Sequence, residues 1–145
     1  MIEIFGNIEV NQCFIYVNTK DKCEKLAERM KEQDFVVSNI HGSMEMDERK
    51  RIMKQFREGA SRILISTDLL ARGIDVHSVG LVVNYELPSK HENYIHRIGR
   101  SGRFGKRGIA INLISNQEAH QLLEIEKMYQ TEINELPTKF DQKEL

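Results

Sequence analysis

Residues 13–30 read CFIYVNTKDKCEKLAERM, an apolar run followed at once by an amphipathic one. The run Cys13–Val17 predicts a buried strand. After it, apolar residues recur at i, i+3, i+4 and i+7, which predicts a helix with one buried face. Thr19 is a suitable N-cap for this helix, and Asp21 in its first turn favours the helix dipole. The residues expected on the buried face are Cys23, Leu26, Ala27 and Met30.

The same alternation of strands and helices continues along the chain. Such alternation indicates an α/β fold in which a parallel sheet carries helices on both faces. Gly59 is expected to stop the second helix. The apolar residues of the last helix are expected to pack in the core, and they are Leu122, Leu123, Ile125, Met128 and Tyr129. Further strands are predicted at Phe35–Ser38, Arg62–Ser66, Gly80–Asn84 and Gly108–Leu113, and further helices at Asp47–Arg57, His91–Ile98 and Asn116–Tyr129.

Composition is that of an ordinary globular protein. The 145 residues are 40% hydrophobic and 30% charged, with a formal net charge of −1, which suits one domain with one sizeable core. No apolar run approaches the length of a membrane span. Cys13 and Cys23 are too few for a disulfide framework and are interpreted as buried thiols of a reducing compartment.

Polar residues follow most of the predicted strands. Because ligands of parallel sheets bind beyond the carboxyl ends of the strands, these segments are expected to crowd one functional edge. The segments are Asn18–Thr19, His41–Gly42, Thr67–Gly73 and Glu86–Pro88.

The segment 94–108, YIHRIGRSGRFGKRG, is rich in arginine and glycine. Arg97, Arg100 and Arg103 are spaced by three, with glycines interleaved. From Lys90 to Arg107 there are six basic residues and one acid, a net charge of +5. Arginine offers a planar, permanently charged fork that suits phosphate oxygens. A local phosphate site is therefore favoured over a solvated basic turn.

The loop TDLLARGID, residues 67–75, combines hydroxyl, carboxylate and guanidinium groups after a strand. Thr67, Arg72 and the Gly73 amide could bind a sugar-phosphate backbone, and Asp75 could accept from a ribose hydroxyl. Taken alone, Asp68 and Asp75 would be more typical of caps or turns.

With this loop and the arginine segment together, the chain resembles the C-terminal RecA-like domain of superfamily 2 helicases, and among them the DEAD-box RNA helicases. Residues 14–19 resemble motif IV, 41–49 motif IVa, 67–75 motif V and 96–103, HRIGRSGR, motif VI. The sequence between the motifs is most like that of the translation initiation factor 4A group. The resemblance implies a three-layer α-β-α fold. The sequence departs from the family motifs at two positions, with Met46 in place of glutamine and Glu86 in place of aspartate.

The resemblance also implies roles for individual residues. Arg100 and Arg103 would be arginine fingers in ATP hydrolysis and, with Asp75, would face ATP. His96 and Arg97 would lie at the cleft between two domains. The residues implied to face the RNA backbone are Asn18, Thr19, Gly42, Arg49, Thr67, Asp68, Arg72 and Gly73.

Two features of a complete ATPase are missing from the sequence. It has neither a G-x-x-x-x-G-K-[ST] phosphate loop nor a DEAD sequence. The phosphate cradle and the Mg²⁺ ligands are therefore expected from an N-terminal RecA-like domain of the same protein. His91 and His96 are five residues apart, about 140° around a helix, and cannot share a zinc ion. No metal site is predicted in the chain itself.

We therefore expect one domain of a cytoplasmic RNA helicase, or of a nuclear relative acting in exon junctions or ribosome biogenesis. Residues 1–12 are interpreted as a truncated lead-in, 13–135 as the domain and 136–145 as a tail, so that a fragment of a longer chain is suspected. The isolated domain is expected to be a monomer without ATPase activity. The expected partners are RNA, the first RecA-like domain and an initiation-factor scaffold protein. The rival interpretations are a non-catalytic RNA-binding or scaffold-binding module and a DNA helicase.

Overall fold

A computed structural model describes residues 12–68, 79–99 and 108–135. In these ranges strands and helices follow one another as the sequence predicts. The strands are β1 (Cys13–Tyr16), β2 (Val37–Ile40), β3 (Ile63–Ser66), β4 (Leu81–Asn84) and β5 (Ile109–Asn112). The helices are α1 (Lys20–Glu32), α2 (Met46–Arg57), α3 (Glu92–Ile98) and α4 (Ala119–Tyr129), and a 3₁₀ turn at Asn116–Glu118 leads into α4.

The five strands form one sheet in the order β2-β3-β1-β4-β5, and every neighbouring pair is parallel. β1 lies at the centre, with Tyr16 in register with Ser66 of β3 and with Asn84 of β4. All five carboxyl ends therefore point to the same edge of the sheet. This edge is the one at which the sequence places its candidate site.

Alternate residues of the strands enter two separate cores. On one face Ile15 and its neighbours pack against the buried face of α1, and all four residues predicted for that face are buried. On the other face Phe14 and Tyr16 pack against Met53 and Phe56 of α2. The predicted α/β fold with helices on both faces of a parallel sheet is thus confirmed. None of the helices in the described ranges has the length and apolar character that crossing a membrane requires.

The second strand begins two residues later than predicted, at Val37 instead of Phe35. Asp34 has φ +67°, and the Phe35 N–H still donates to the carbonyl of Met30 in α1. Because its amide is used to end the helix, Phe35 cannot enter the strand ladder. The Phe35 side chain nevertheless packs against the α1 core.

The prediction for the last helix is only partly correct. Ile125 is buried, with Leu122 and Tyr129 packed around it, but Leu123 and Met128 are more than half exposed. Leu122, Ile125 and Tyr129 lie three and four residues apart and share one face, whereas Leu123 is about 160° away from Ile125. The helix has a narrow buried face because it packs on the loop after β4 and on α3, not on the sheet.

Both cysteines are free and buried in the core, as predicted. Burial raises the pKa of Cys13 far above its ordinary value and raises that of Cys23 to about 11. Both thiols are therefore protonated and unreactive at neutral pH.

Helix α2 ends at a glycine, as the sequence predicts. Gly59 has φ +84°, its N–H donates to the Phe56 carbonyl, and the Ala60 N–H donates to the Gln55 carbonyl. These two bonds form a Schellman motif, which satisfies carbonyls that the helix end would otherwise leave unpaired. Only glycine adopts the left-handed conformation at this position without strain.

We expect Gly59→Ala to destabilise the domain by about 1 kcal/mol, because alanine is strained at this φ. Gly42→Ala is a matched control, since a Cβ meets nothing within 4 Å at either glycine and only Gly59 has a positive φ. The control should change stability by less than about 0.5 kcal/mol. Urea unfolding of both variants measures the difference in stability. Equal unfolding midpoints for Gly59→Ala and Gly42→Ala would show that the positive φ of Gly59 does not make alanine more destabilising there.

Candidate functional site

The carboxyl edge of the sheet gathers the polar residues predicted to lie there. Asn18 follows β1, Gly42 follows β2, Thr67 follows β3 and Glu86 follows β4, while α2 begins just beyond Gly42. Since the strands are parallel neighbours, these segments lie side by side at one edge. The expectation that they crowd one edge is confirmed for the described residues, whereas residues 69–73 of the Thr67–Gly73 segment lie outside them.

Arg97, in the last turn of α3, is the centre of this edge and is completely buried. Its Nε donates to Asp68 Oδ1 at 2.5 Å and its Nη2 to Asp68 Oδ2 at 2.8 Å. Nη2 also donates to Asn18 Oδ1 at 2.8 Å. Nη1 donates to Asn84 Oδ1 at 3.2 Å and to the Glu86 carbonyl at 2.6 Å. All five N–H donors of the guanidinium are therefore satisfied.

The surroundings of Arg97 are suited to a buried positive charge. The Asp68 carboxylate offsets the charge in a bidentate pair, the strongest form of this interaction. The guanidinium carbon lies 5.2 Å from the centroid of the Tyr16 ring, which adds a cation–π contact. A charge without such partners would be very costly to bury. Arg97 thus joins the ends of β1, β3 and β4.

The network continues from Arg97 across the sheet to β5. Asn84 Nδ2 donates to Asn112 Oδ1 at 2.7 Å, and Asn112 Nδ2 donates to the Tyr94 hydroxyl at 3.0 Å. Asn84 and Asn112 are register partners in β4 and β5. Burial raises the pKa of Tyr94, which keeps its hydroxyl protonated.

Asn18 and Asp68, both expected to face RNA, use their side chains within this domain. Asn18 accepts from Arg97 and donates through Nδ2 to the Leu87 carbonyl at 2.8 Å. Both carboxylate oxygens of Asp68 accept from Arg97. Contacts of these residues to RNA, and of Arg97 to a partner domain, stay predictions, while the contacts they make here hold the edge together.

Thr19 and Gly42 are exposed at the same edge. Thr19 caps α1 as predicted, because its Oγ1 accepts from the Lys22 N–H at 3.3 Å. Gly42 follows His41, whose buried ring lies with Nε2 3.1 Å from Glu24 Oε1 and accepts at Nδ1 from Ser43 N–H. This pattern of donors places the imidazole proton on Nε2. His41 therefore fixes the turn that exposes Gly42.

Arg49 lies in the first half of α2 and is half-buried. Its Nε is buried without a hydrogen-bond partner in the part of the chain that the structure describes. Buried donors are nearly always paired in native proteins, so a buried Nε without a partner among the described residues is uncommon. Because this Nε is shielded from solvent, it does not support a contact with RNA, and the contact between Arg49 and RNA phosphate stays a prediction.

His96 is exposed on α3 and borders an open cleft of about 600 Å³ between α3 and the end of α4. The cleft is mainly polar, with Lys90, His91 and Glu92 beside the exposed Met128. Because this cleft is open, His96 is accessible to a partner domain. A position of His96 between the two domains stays a prediction.

The remaining predicted site residues, Arg72, Gly73, Asp75, Arg100 and Arg103, lie outside the described residues. In the described ranges no three histidine, cysteine, aspartate or glutamate side chains are grouped so that they could hold a metal ion. Ligands for Mg²⁺ are still expected from a partner domain.

Two parts of the site were missed by the sequence interpretation. The pattern predicts only a strand at Asn84, although an asparagine within the apolar run LVVN indicates a buried polar partner. Glu86 differs from the aspartate of the family motif, and its carboxylate accepts from the Asn18 N–H at 3.0 Å and pairs with Lys22. The carboxylate raises the pKa of Lys22 through this hydrogen bond and its charge.

Comparison with known proteins agrees with this geometry. Residues 1–105 match the family described as helicase conserved C-terminal domain. The chain is 53% identical over 142 residues to the ATP-dependent RNA helicase eIF4A of Kluyveromyces lactis, covering 98% of this chain and 36% of that protein. It therefore spans about a third of the length of this relative.

Solved structures of DEAD-box proteins are similar to the whole described fold. The C-terminal domain of the DEAD-box protein Dbp5 has a TM-score of 0.80 and 40% identity, covering 88% of this chain and 74% of that one. The structure of Saccharomyces cerevisiae Dbp5 bound to RNA and ADP BeF3 has a TM-score of 0.78 and 40% identity, covering 88% and 34%. At 40% identity over 88% of this chain, these structures are similar to it in sequence as well as in fold.

Replacing Arg97 by lysine should destabilise the domain by about 3 kcal/mol or more, because an ammonium cannot reproduce five donors in a planar fork and leaves Asp68 and its neighbours underpaired. Arg51→Lys is the control, since Arg51 is exposed on α2 and should change stability by less than about 0.5 kcal/mol. Urea unfolding followed by circular dichroism measures both. Equal stability of the two variants would contradict a structural role for the buried guanidinium.

Proposed function

The chain belongs to the helicase conserved C-terminal domain family, and we propose that it is the second RecA-like domain of an ATP-dependent DEAD-box RNA helicase. The observation that carries the proposal is the 53% identity to a protein named ATP-dependent RNA helicase over 98% of this chain. The edge of the sheet supports it, because the described residues of the family motifs, such as Asn18, Gly42, Asp68 and Arg97, lie there.

In the proposed mechanism this domain supplies half of an RNA-binding surface. Thr19 and Gly42 are exposed at the strand edge, and Arg49 lies half-buried in the first half of α2. Small, polar and basic groups of this kind suit phosphates and 2′-hydroxyls, so binding should depend little on base identity. The related protein Dbp5 has been solved bound to RNA, which supports RNA as the ligand.

The domain also completes the ATP site of the whole protein. ATP, when bound, supplies the phosphoryl group that passes to water. Asp75 faces the nucleotide, and Arg100 and Arg103 stabilise the charge that develops on the phosphoryl group, as arginine fingers do in other phosphoryl-transfer enzymes. The first RecA-like domain provides the phosphate cradle and the Mg²⁺ ligands.

Relatives named eukaryotic initiation factor 4A support the further proposal that the helicase acts in translation initiation or a related RNA process. A cytoplasmic location and a scaffold protein as partner belong to the same proposal. His96, which is exposed beside an open cleft, and Arg97 are the described residues that we assign to the cleft between the two domains.

The 145-residue chain alone should show no ATP hydrolysis above background, because it lacks a phosphate loop and DEAD carboxylates. The protein that joins it to a first RecA-like domain should hydrolyse ATP faster with RNA than with DNA of matched sequence. Steady-state ATPase assays of both proteins measure this. Turnover by the chain alone would remove the two-domain mechanism, and equal stimulation by RNA and DNA would favour a DNA helicase.

Arg100→Ala in the two-domain protein should lower kcat by about 100-fold or more, because the guanidinium acts mainly on the transition state. The ATP KM should change much less. Arg100→Lys should rescue activity poorly, since a compact ammonium lacks the planar fork. Arg51→Lys on the exposed face of α2 is the control and should keep full activity. Near-normal kcat in Arg100→Ala would remove the arginine-finger assignment.

A further inference from the structure

Glu86 lies directly after Tyr85 at the end of β4, and its two carboxylate oxygens have different partners. Oε1 accepts from the backbone N–H of Asn18 at 3.0 Å. Oε2 accepts from Nζ of Lys22 in the first turn of α1. The Glu86 side chain is 16% exposed, so its hydrogen bond with the Asn18 N–H is partly shielded from water, whereas the Lys22 side chain is 54% exposed and its pair with Glu86 lies at the surface.

The position of the Asn18 amide explains why it needs this partner. The ladder between β1 and its neighbours ends with Val17, whose N–H donates to the Ser66 carbonyl at 3.0 Å. Asn18, two residues beyond the end of β1, comes next along the chain, and its N–H donates to the Glu86 carboxylate instead of to a carbonyl of a neighbouring strand. A buried or half-buried N–H must find an acceptor elsewhere. The carboxylate of Glu86 takes the place that a strand carbonyl would occupy.

Glu86 also holds the other end of the same turn. Thr19 is the N-cap of α1, and its Oγ1 accepts from the Lys22 N–H. The Lys22 side chain in turn pairs with Glu86. The Glu86 carboxylate thus contacts both ends of the turn Asn18–Thr19. One contact is to the Asn18 amide just after β1, and the other is to Lys22 in the first turn of α1.

We infer that Glu86 is a positioning residue that fixes the backbone of the turn Asn18–Thr19 for binding to RNA phosphates without touching RNA itself. The inference rests on the proposed function, in which this turn faces RNA. Glu86 acts through the Asn18 N–H and Lys22, and its charge is already used by these two groups. The carboxylate therefore orders a phosphate-binding turn while its own negative charge is offset.

The positioning is tested without RNA, by amide hydrogen exchange in the 145-residue chain. Glu86→Ala should speed exchange of the Asn18 amide by at least about tenfold, the effect of losing a charge-assisted hydrogen bond, while Ile15 in β1 changes little. Glu86→Gln keeps an acceptor oxygen and should lie between Glu86→Ala and the wild type. Unchanged exchange at Asn18, or equal acceleration at Asn18 and Ile15, would overturn the inference.

The consequence for function is tested in the two-domain protein with a single-stranded RNA of fixed length. Glu86→Ala should weaken RNA binding about fivefold or more, Glu86→Gln should recover part of it, and the ATP KM should stay near the wild-type value. Lys22→Met should weaken binding as well, whereas Lys25→Met, which removes an exposed pair with Asp21 on the same helix, should not.

The two hypotheses fail in different ways. A wild-type protein that does not bind RNA would remove the proposed function. RNA binding by the wild type that is equally strong in Glu86→Ala would overturn the inference about Glu86 alone. Equal losses in Lys22→Met and Lys25→Met would also overturn it, because the effect would then come from overall charge.

Discussion

The charge of Arg97, buried at the centre of the sheet edge, is the constraint on which the rest of the site depends. A guanidinium with no exposed surface is tolerable only if its charge is offset and each donor has an acceptor. Asp68 supplies the charge, and Asn18, Asn84 and the Glu86 carbonyl complete the set. These acceptors come from the ends of three strands, so the pairing can be complete only when the three strands are in register.

This requirement divides the polar residues of the edge into two groups. Asn18 and Asp68 use their side chains to hold Arg97, whereas Thr19 and Gly42 remain exposed beside them. Residues of one motif therefore have different tasks, although they are neighbours in sequence. A substitution in the first group should alter both stability and ligand binding, while one in the second should alter ligand binding with little loss of stability. Glu86 belongs to neither group, because its side chain acts on the Asn18 backbone and on Lys22, while only its backbone carbonyl accepts from Arg97.

Periodicity predicted the elements well because buried faces leave a regular pattern. The face of α1 and the end of α2 at Gly59 follow from spacing and from one glycine. Two features leave no such pattern and account for the errors. The Phe35 amide donates to the Met30 carbonyl where α1 ends, and Leu123 lies on a side of α4 where it is more than half exposed. Likewise, nothing local distinguishes the buried Arg97 from an arginine that faces a ligand. Only Asn84, polar within an apolar strand, indicated that a buried polar network exists.

The burial of Arg97 also bears on catalysis through the chain that follows it. Helix α3 ends at Ile98, and a side chain at Gly99 would place its Cβ 3.0 Å from the Ile95 carbonyl, closer than ordinary packing permits. The end of α3 is thus held by the buried guanidinium, and the residue after it is a glycine at which a side chain would be tight. The proposed finger Arg100 is the next residue in sequence. Catalysis by such fingers depends on accurate placement of charge more than on binding strength, because misplacement by about 1 Å can cost about 100-fold in rate. Arg97 is fully paired and lies three residues before Arg100, so it fixes the position from which the chain leads to the proposed finger. The stability of the strand edge and the chemistry proposed for Arg100 are therefore linked.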